Sequence, residues 1–141
     1  GLQEFGVYLN KLFTIDAIFL NEDRHMHNIA VMMNGKGEFD YCPIFDNGGA
    51  LLTDTTMDYP LDQDELLLMK EVHAKTISSD FDEQLDASEH FYGRNLRFSF
   101  TKKDVERLLA KPELNMYDMR IRTRVTNIFY QQMNKYKYLF Y

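Results

Sequence analysis

Apolar residues at the start of the chain recur at steps of three and four, which is the spacing of one face of an α-helix. The residues on that face are Phe5, Tyr8, Leu12, Ile15 and Phe19. Further apolar residues widen the face near its C-terminal end, namely Ala17, Ile18 and Leu20. The pattern predicts a helix from residue 5 to residue 20, enclosed on more than one side near its end and therefore central to the fold.

The next apolar segments are short and are separated by glycines. Residues 29–33 are mostly apolar, Asn34-Gly35-Lys36-Gly37 follows, and residues 38–41 then alternate polar and aromatic side chains. This pattern predicts two short strands joined by a glycine turn. Further along, Asp46-Asn47-Gly48-Gly49 predicts a tight turn whose two glycines adopt positive φ.

Three more helices are predicted in the second half of the chain. Residues 66–69 follow an acidic segment that suits the positive end of a helix dipole, and Thr101 resembles the N-cap of a helix that Pro112 ends. Residues 121–139 carry apolar side chains at helical spacing with arginines on the other faces, typical of a long amphipathic helix. Residues 76–95 show no decisive pattern. The sequence therefore predicts a mainly α protein with one small β-hairpin, an α+β fold.

Length and composition limit the possible classes of protein. The 141 residues, 45% of them apolar, fit a single packed domain spanning residues 1–141. Cys42 is the only cysteine, and we find neither a signal-peptide pattern nor an apolar segment as long as a membrane span. We therefore expect a cytoplasmic protein. The net charge of −6 argues against nucleic acid as the main partner, although five basic residues cluster near the C-terminus: Arg120, Arg122, Arg124, Lys135 and Lys137.

The residues best suited to chemistry lie on both sides of the predicted hairpin. Asn21-Glu22-Asp23-Arg24-His25-Met26-His27-Asn28 precedes it, and Pro43-Ile44-Phe45-Asp46-Asn47-Gly48 follows it. Phosphoryl transfer needs a carboxylate to orient the attacking hydroxyl and oxygen ligands to hold magnesium against the phosphates of ATP. Asp23 is of the right type for the first task, and Asn28 and Asp46 for the second. Because a hairpin returns the chain, we expect Asp46 beside the loop that contains the other two residues.

This order of residues resembles the catalytic loop of phosphoinositide-type kinases and of the bacterial HipA-like serine/threonine kinases, over roughly the first third of the chain. In ordinary protein kinases His and Arg precede the catalytic Asp, whereas here Arg24 and His25 follow Asp23. The resemblance implies the C-terminal lobe of a kinase-like enzyme. Such an enzyme transfers a phosphoryl group from ATP, with Mg²⁺, to a hydroxyl group, and a serine or threonine of a protein is the preferred acceptor.

The resemblance also implies a role for individual positions. Asp23 would be the catalytic residue that orients the acceptor hydroxyl, while Asn28 and Asp46 would bind both the magnesium ion and the nucleotide. His25 would support the loop or approach a phosphate. An apolar floor under the adenine would consist of Ala30 and of Ile44 or Phe45.

The chain departs from these families in two respects. No glycine-rich loop, strand lysine or partner glutamate precedes Asp23, so we expect either a longer protein whose N-terminal lobe clamps the nucleotide or a partner chain that completes the site. By itself this chain is then expected to bind ATP weakly or not at all and to be inactive. Asn47-Gly48-Gly49 stands where many protein kinases have Phe-Gly, so regulation by movement of an apolar residue is not expected.

Alternative interpretations of the same residues belong to other functional classes. A non-catalytic module that keeps the kinase fold, for example a toxin-associated interaction domain, would show the same fold without the reaction. His25 and His27 with Asp23 suggest a transition-metal site of a hydrolase, although only His73 and His90 are left as further histidine ligands. The basic residues near the C-terminus suggest contact with an acidic partner.

Overall fold

A computed structural model describes residues 4–141, and its first helix is α1, Phe5–Phe19. Leu20 ends the helix in the left-handed conformation, with φ +51°, and its amide donates to the carbonyl of Asp16. Phe5 is 37% exposed, so the buried face begins later than the sequence predicts. The second half of the helix is enclosed as predicted, and its most buried apolar side chains are Leu12, Phe13, Ala17 and Ile18.

The predicted hairpin is present as strands β1, Val31–Met33, and β2, Phe39–Tyr41. The strands are antiparallel, with Val31 opposite Tyr41 and Met33 opposite Phe39. The side chain of Asn34 accepts hydrogen bonds from two amides of the turn, and Gly37 has φ +77°. These are the properties for which Asn and Gly are favoured in hairpin turns.

The prediction of positive φ at Gly48 and Gly49 is wrong. The left-handed residue of this turn is Asp46, with φ +54°, a conformation that Asp adopts more readily than most residues. Gly49 is required for a different reason, because a Cβ atom there would lie 2.5 Å from Oδ2 of Asp23. The glycine therefore permits close packing of the turn against the loop after α1.

Three helices follow the turn: α2, Glu65–Leu68; α3, Phe81–Tyr92; and α4, Lys102–Leu109. The predictions for α2 and for the cap at Thr101 are confirmed, since Thr101 and Asp104 exchange the two hydrogen bonds of a capping box. The sequence did not predict α3. Its N-cap is Asp80, whose side chain accepts hydrogen bonds from two amides of the first turn.

The last helix, α5, spans Met119–Lys135 and is shorter than predicted. Tyr136 ends it, and Lys137–Leu139 form a 3-10 turn instead of continuing the helix. The expectation that the arginines lie on exposed faces is wrong for Arg124, which is only 4% exposed. Its guanidinium donates to the carbonyl oxygens of Tyr59 and Pro60 and so anchors the segment before α2.

The apolar core lies where α1 packs against α3 and α5. It includes Ile18, Leu85, Ile128 and Leu139, each 1% exposed or less. The residues of both hairpin strands are exposed to solvent except Tyr41, which is half-buried and stacks on Tyr8 of α1, with ring centroids 5.0 Å apart. The mainly helical fold with one two-stranded sheet agrees with the sequence, and no helix among residues 4–141 is both long and apolar enough to cross a membrane.

Candidate active site

The loop after α1 holds two of the three predicted site residues close together. Asn28 is buried at the end of a 3-10 turn and its Nδ2 donates to the carbonyl oxygen of Asp23, at 2.7 Å. This bond closes the loop between the two residues and fixes the orientation of the Asn28 amide. None of residues 4–141 donates a hydrogen bond to Oδ1 of Asn28, so that oxygen is free to bind a ligand.

Arg24 forms a buried ion pair with Asp16 of α1. The two side chains are 1% and 0% exposed, with Arg24 Nε 3.1 Å from Oδ2 of Asp16 and Nη2 3.3 Å from Oδ1. Burial raises the pKa of the Asp16 carboxyl, while the hydrogen bonds from Arg24 and Asn21 oppose that rise. A planar guanidinium that binds both oxygens of a carboxylate fixes the relative orientation of the two side chains and also balances the negative charge.

The same guanidinium joins the loop to the turn that contains Asp46. Nη1 of Arg24 donates to the carbonyl oxygens of Asn28, at 2.9 Å, and Phe45, at 2.8 Å. Nη2 donates to Oδ1 of Asn47, at 2.7 Å. Both neighbours of Asp46 are thus bound to Arg24, which stabilises the left-handed backbone at Asp46. The turn is therefore held against the loop that carries Asp23 and Asn28.

Asn21 connects this polar network to Asp23. It is 2% exposed, and its Nδ2 donates to Asp16 Oδ1, at 3.0 Å, and to Asn47 Oδ1, at 3.4 Å. Its Oδ1 accepts a hydrogen bond from the amide of Asp23, at 3.2 Å. The backbone of Asp23 is therefore held on one side by Asn21 and on the other by Asn28.

Sequence reasoning missed the supporting residues Asp16, Asn21 and Asn47. One signal was available, since Asp16 lies within the apolar segment Ile15-Asp16-Ala17-Ile18 near the end of a helix predicted to be enclosed. A carboxylate at a buried position needs a cationic or hydrogen-bonding partner. The identity of that partner depends on the tertiary fold.

The carboxylate of Asp23 lies against the second half of the turn. It is half-buried and within van der Waals reach of Gly49, the residue whose missing side chain makes room for it. The carbonyl of Gly49 also accepts a hydrogen bond from the amide of Glu22, at 3.3 Å. Asp46 itself is exposed, and none of residues 4–141 donates to its carboxylate.

The other predicted site residues lie around this centre. His25 is exposed, with its ring edge-on to that of His27, and its Nε2 is 3.4 Å from Nδ2 of Asn28. Ala30 is half-buried, and its carbonyl accepts from the amide of Cys42 beside the hairpin. The two apolar residues before Asp46 are partly exposed, namely Ile44 and Phe45.

The oxygen donors of the site fit a hard divalent cation better than a transition metal. Residues 4–141 contain no group of three or more His, Cys, Asp and Glu side chains arranged to hold a metal ion, at Asp23, His25 and His27 or elsewhere. Magnesium is commonly held by one or two carboxylates together with phosphate oxygens and water. The amide oxygen of Asn28 and the carboxylate of Asp46 are donors of that type.

The comparisons with known proteins do not assign the chain to a class. No protein-family model matches it, and neither does any curated protein or solved structure. The function is therefore inferred from the residues and geometry of the site.

Proposed function

We propose that this chain is the catalytic C-terminal lobe of a HipA-like or phosphoinositide-kinase-like enzyme that transfers a phosphoryl group from ATP to a hydroxyl acceptor. The observation that carries the proposal is the set of hydrogen bonds made by Arg24. They hold the loop containing Asp23 and Asn28 against the turn containing Asp46. Phosphoryl transfer depends mainly on such positioning and on charge stabilisation, with little covalent chemistry by the protein.

Asp23 is the residue proposed to orient the acceptor hydroxyl. A carboxylate can do so only if it is held within hydrogen-bond reach of the proton that it accepts. The backbone of Asp23 is fixed by Asn21 and Asn28, and its side chain packs on Gly49, so its position is well defined. Its partial exposure leaves room for a substrate.

Asn28 and Asp46 are the residues proposed to hold magnesium. Bound Mg²⁺-ATP supplies the phosphoryl group, and the ion offsets the negative charge of the phosphates. The Asn28 oxygen and the Asp46 carboxylate suit this role because no group among residues 4–141 occupies them. His25, exposed beside Asn28, is placed to approach a phosphate.

An uncovered apolar surface on the hairpin supports the proposal that a further lobe or a partner chain completes the nucleotide site. Residues directly opposite in antiparallel strands share a face of the sheet. On one face Val31, Met33 and Phe39 are 44%, 65% and 51% exposed. Apolar patches of this kind commonly mark contact with a ligand or with another protein surface. The apolar floor proposed for the adenine, Ala30 with Ile44 or Phe45, lies next to this hairpin in the chain.

Manganese is a suitable probe for the proposed magnesium ligands because it broadens nuclear magnetic resonance signals of nearby nuclei. Titration of Mn²⁺ into this chain should broaden the amide signals around Asn28 and Asp46 first. Asp46→Asn should remove that selectivity, whereas Asp86→Asn, at an exposed carboxylate on α3, should leave it intact. Broadening that is spread over all acidic surfaces in the wild-type chain would contradict the magnesium site.

The transfer reaction requires a direct test in a protein that contains this chain together with the lobe that clamps the nucleotide. Asp23→Ala should lower the rate of phosphoryl transfer by about 10²–10⁴-fold, the usual contribution of a positioned acid or base. Thermal unfolding should change little, and Asp86→Ala should keep the wild-type rate. Full activity of the Asp23→Ala protein would remove Asp23 from its role. A wild-type protein that binds Mg²⁺-ATP without transferring phosphate would instead favour the non-catalytic binding module.

A further inference from the structure

A cavity of about 370 Å³ lies between the end of α1 and the turn that follows Asp46. Its size is near the lower end of the range of about 300–1,000 Å³ found for ligand pockets. Its lining includes the polar residues Asn21 and Asn47, while Ile15, Phe19, Ala50 and Leu51 form its apolar side. The cavity is distinct from the exposed face of the hairpin, which contributes none of its described lining residues.

This cavity adjoins the candidate active site through two of its lining residues. Asn21 lines the cavity and also accepts the hydrogen bond from the amide of Asp23. Asn47 lines it and directly follows Asp46 in the chain. The cavity and the candidate active site therefore share the supporting residues Asn21 and Asn47.

The lining of the cavity selects against a charged occupant. None of the described residues that line it is Lys, Arg or His, and the only ionisable one is Asp16. The carboxylate of Asp16 is already bound by Arg24 and Asn21. A charged group entering the cavity would lose its hydration without gaining a counter-ion, at a large cost in free energy. An uncharged apolar group would instead contact Ile15, Phe19 and Leu51.

The backbone at the apolar side is unusual and is held in place by α1. Leu51 and Leu52 both adopt left-handed conformations, with φ +57° and +55°, which bulky residues rarely do. The amide of Leu51 donates to the carbonyl of Phe19, at 2.8 Å. Strained backbone that persists in a fold tends to occur at functional sites, because the surrounding structure must stabilise it.

We propose that this cavity binds a large apolar side chain that neighbours the phosphorylated serine or threonine of a polypeptide acceptor. The inference rests on the proposed phosphotransferase function and specifies its substrate class. A phosphoinositide headgroup carries several negative charges at once, and the side chains of Arg and Lys are the groups that commonly offset such charge. The described lining offers no such cations. Of the two families that the catalytic loop resembles, the cavity therefore favours the one with a protein acceptor.

Peptide binding to this chain in the absence of nucleotide tests the proposal. The probes are short Ala/Gly peptides with one serine and with Leu, Ala or Glu on one side of it or the other. Calorimetry should show that the better of the two Leu peptides binds at least about tenfold more tightly than its Ala or Glu counterpart, the usual scale of discrimination by an apolar pocket. Inositol monophosphate should bind more weakly than that peptide. Equal affinities for the three types of peptide, absence of peptide binding, or tighter binding of inositol monophosphate would overturn the proposal.

A positive charge introduced into the cavity distinguishes binding at this site from nonspecific apolar association. Ile15→Lys should reduce the affinity for the Leu peptide by about tenfold or more and should make the Glu peptide the better ligand. Thr53→Lys, at the exposed rim, should shift the preference in the same direction if Ile15→Lys proves too unstable to measure. Leu67→Lys is the matched control, because Leu67 is 61% exposed on α2 and does not line the cavity. An unchanged Leu preference in the folded cavity variants would place the binding site elsewhere and refute the assignment.

The outcome of this test can be separated from that of the transfer test. In one outcome, Ile15→Lys abolishes the Leu preference while Asp23→Ala leaves the transfer rate unchanged. That pair of results would support the apolar side-chain site and reject the catalytic role of Asp23. Transfer that depends on Asp23 but shows no preference for the neighbouring residue would keep the enzyme function and reject the subsite.

Discussion

Two arginines are almost completely buried in this protein, and their surroundings differ. Arg24 is 1% exposed and pairs with the buried carboxylate of Asp16 while donating to three groups in the loop and the turn. Arg124 is 4% exposed and donates to two backbone carbonyls, with no carboxylate within ion-pair distance among residues 4–141. Burial lowers the pKa of Arg124, while the charges of more distant carboxylates oppose that effect.

The comparison shows that burial of an arginine does not by itself indicate a functional site. Arg124 links one helix to one neighbouring segment, a role confined to local packing. Arg24 instead links three separate segments, and two of them carry the residues proposed to handle hydroxyl and metal. The number of segments that a buried arginine joins is therefore a better indicator of a candidate site here than the degree to which the arginine is buried.

The largest expected effect is that of Arg24→Ala. It would leave Asp16 buried without its counter-ion, and loss of one partner of a buried ion pair typically lowers the free energy of unfolding by about 3–5 kcal/mol. Urea denaturation measures this change. Arg24→Lys keeps the charge but not the forked geometry, so it should be more stable than the Ala variant and still lose the Mn²⁺ selectivity of Asn28 and Asp46. A loss below about 1 kcal/mol for Arg24→Ala would show that the network is not a structural centre.

Arg124→Met should have a smaller effect that is confined to stability. The methionine preserves much of the apolar packing and leaves the carbonyl of Tyr59 without a donor, whereas that of Pro60 still accepts from the amide of Gln63, at 3.3 Å. The loss is expected to cost about 2 kcal/mol. No buried anion is left behind, in contrast to Arg24→Ala. Mn²⁺ selectivity should be unchanged, and Arg107→Met, at a side chain 80% exposed, should alter the unfolding free energy by less than about 0.5 kcal/mol. Loss of Mn²⁺ selectivity in Arg124→Met would show that Arg124 also supports the proposed metal ligands, in contrast to the purely structural role expected for it.

The contrast between the arginines also explains which features the sequence could predict. The hairpin depends on a local Asn-Gly turn signal, and α4 depends on a local Thr101 cap, so both could be predicted from nearby residues. The polar network depends on residues as far apart as Asp16 and Asn47, which only the tertiary fold brings together. The positive φ at Asp46 depends on the same network, since its two neighbours are bound to Arg24.

Helix α3, which the sequence did not predict, also depends on contacts between residues far apart in the chain. The buried face of α3 includes Gln84 and Ser88 as well as apolar residues, so it lacks a clear apolar stripe. The buried hydroxyl of Ser88 has a partner, because its Oγ accepts a hydrogen bond from Nδ2 of Asn10 on α1, at 3.0 Å. A polar contact between helices thus removed the periodicity on which the prediction of a helix relies. The resemblance to a kinase loop could be noticed at all because Asp23, Arg24, His25 and Asn28 are close together in the sequence.

Two adjacent glycines allow the packing of Asp23 to be changed without altering the arginines. In Gly49→Ala the new Cβ would meet Oδ2 and Cγ of Asp23 at 2.5 and 2.6 Å, so Asp23 must move. We expect a loss of about 1–2 kcal/mol in stability, as for overpacking of a tight contact. On the proposed function, phosphoryl transfer should also fall markedly in the protein used for the transfer test. Gly48→Ala is the control for stability, because its Cβ would meet no atom within 4 Å. Equal stability and equal transfer rates for the two variants would show that the position of Asp23 does not matter.

The smallest expected effect is that of Tyr59→Phe. Tyr59 contacts both Arg124 and the loop after α1. Its carbonyl accepts from Arg124, and its hydroxyl donates to Oε2 of Glu22 in the loop after α1, at 2.7 Å. Burial, followed by the hydrogen bond and charge of Glu22, raises the pKa of Tyr59 above its usual range. Tyr59→Phe removes that hydrogen bond and should lower the free energy of unfolding by about 1 kcal/mol at neutral pH.

The raised pKa also determines the pH range in which Tyr59 contributes to stability. Tyrosines in the unfolded chain ionise near pH 10, while Tyr59 stays neutral in the folded protein at that pH. Its contribution is therefore complete below about pH 10 and is lost as the pH rises toward the folded-state pKa. Tyr59→Phe should flatten the alkaline decline of the unfolding free energy, measured by denaturation at several pH values, whereas Tyr117→Phe, at a half-exposed side chain, should not. An unchanged decline in Tyr59→Phe would mean that Glu22 and Tyr59 do not couple the loop after α1 to the segment that Arg124 anchors.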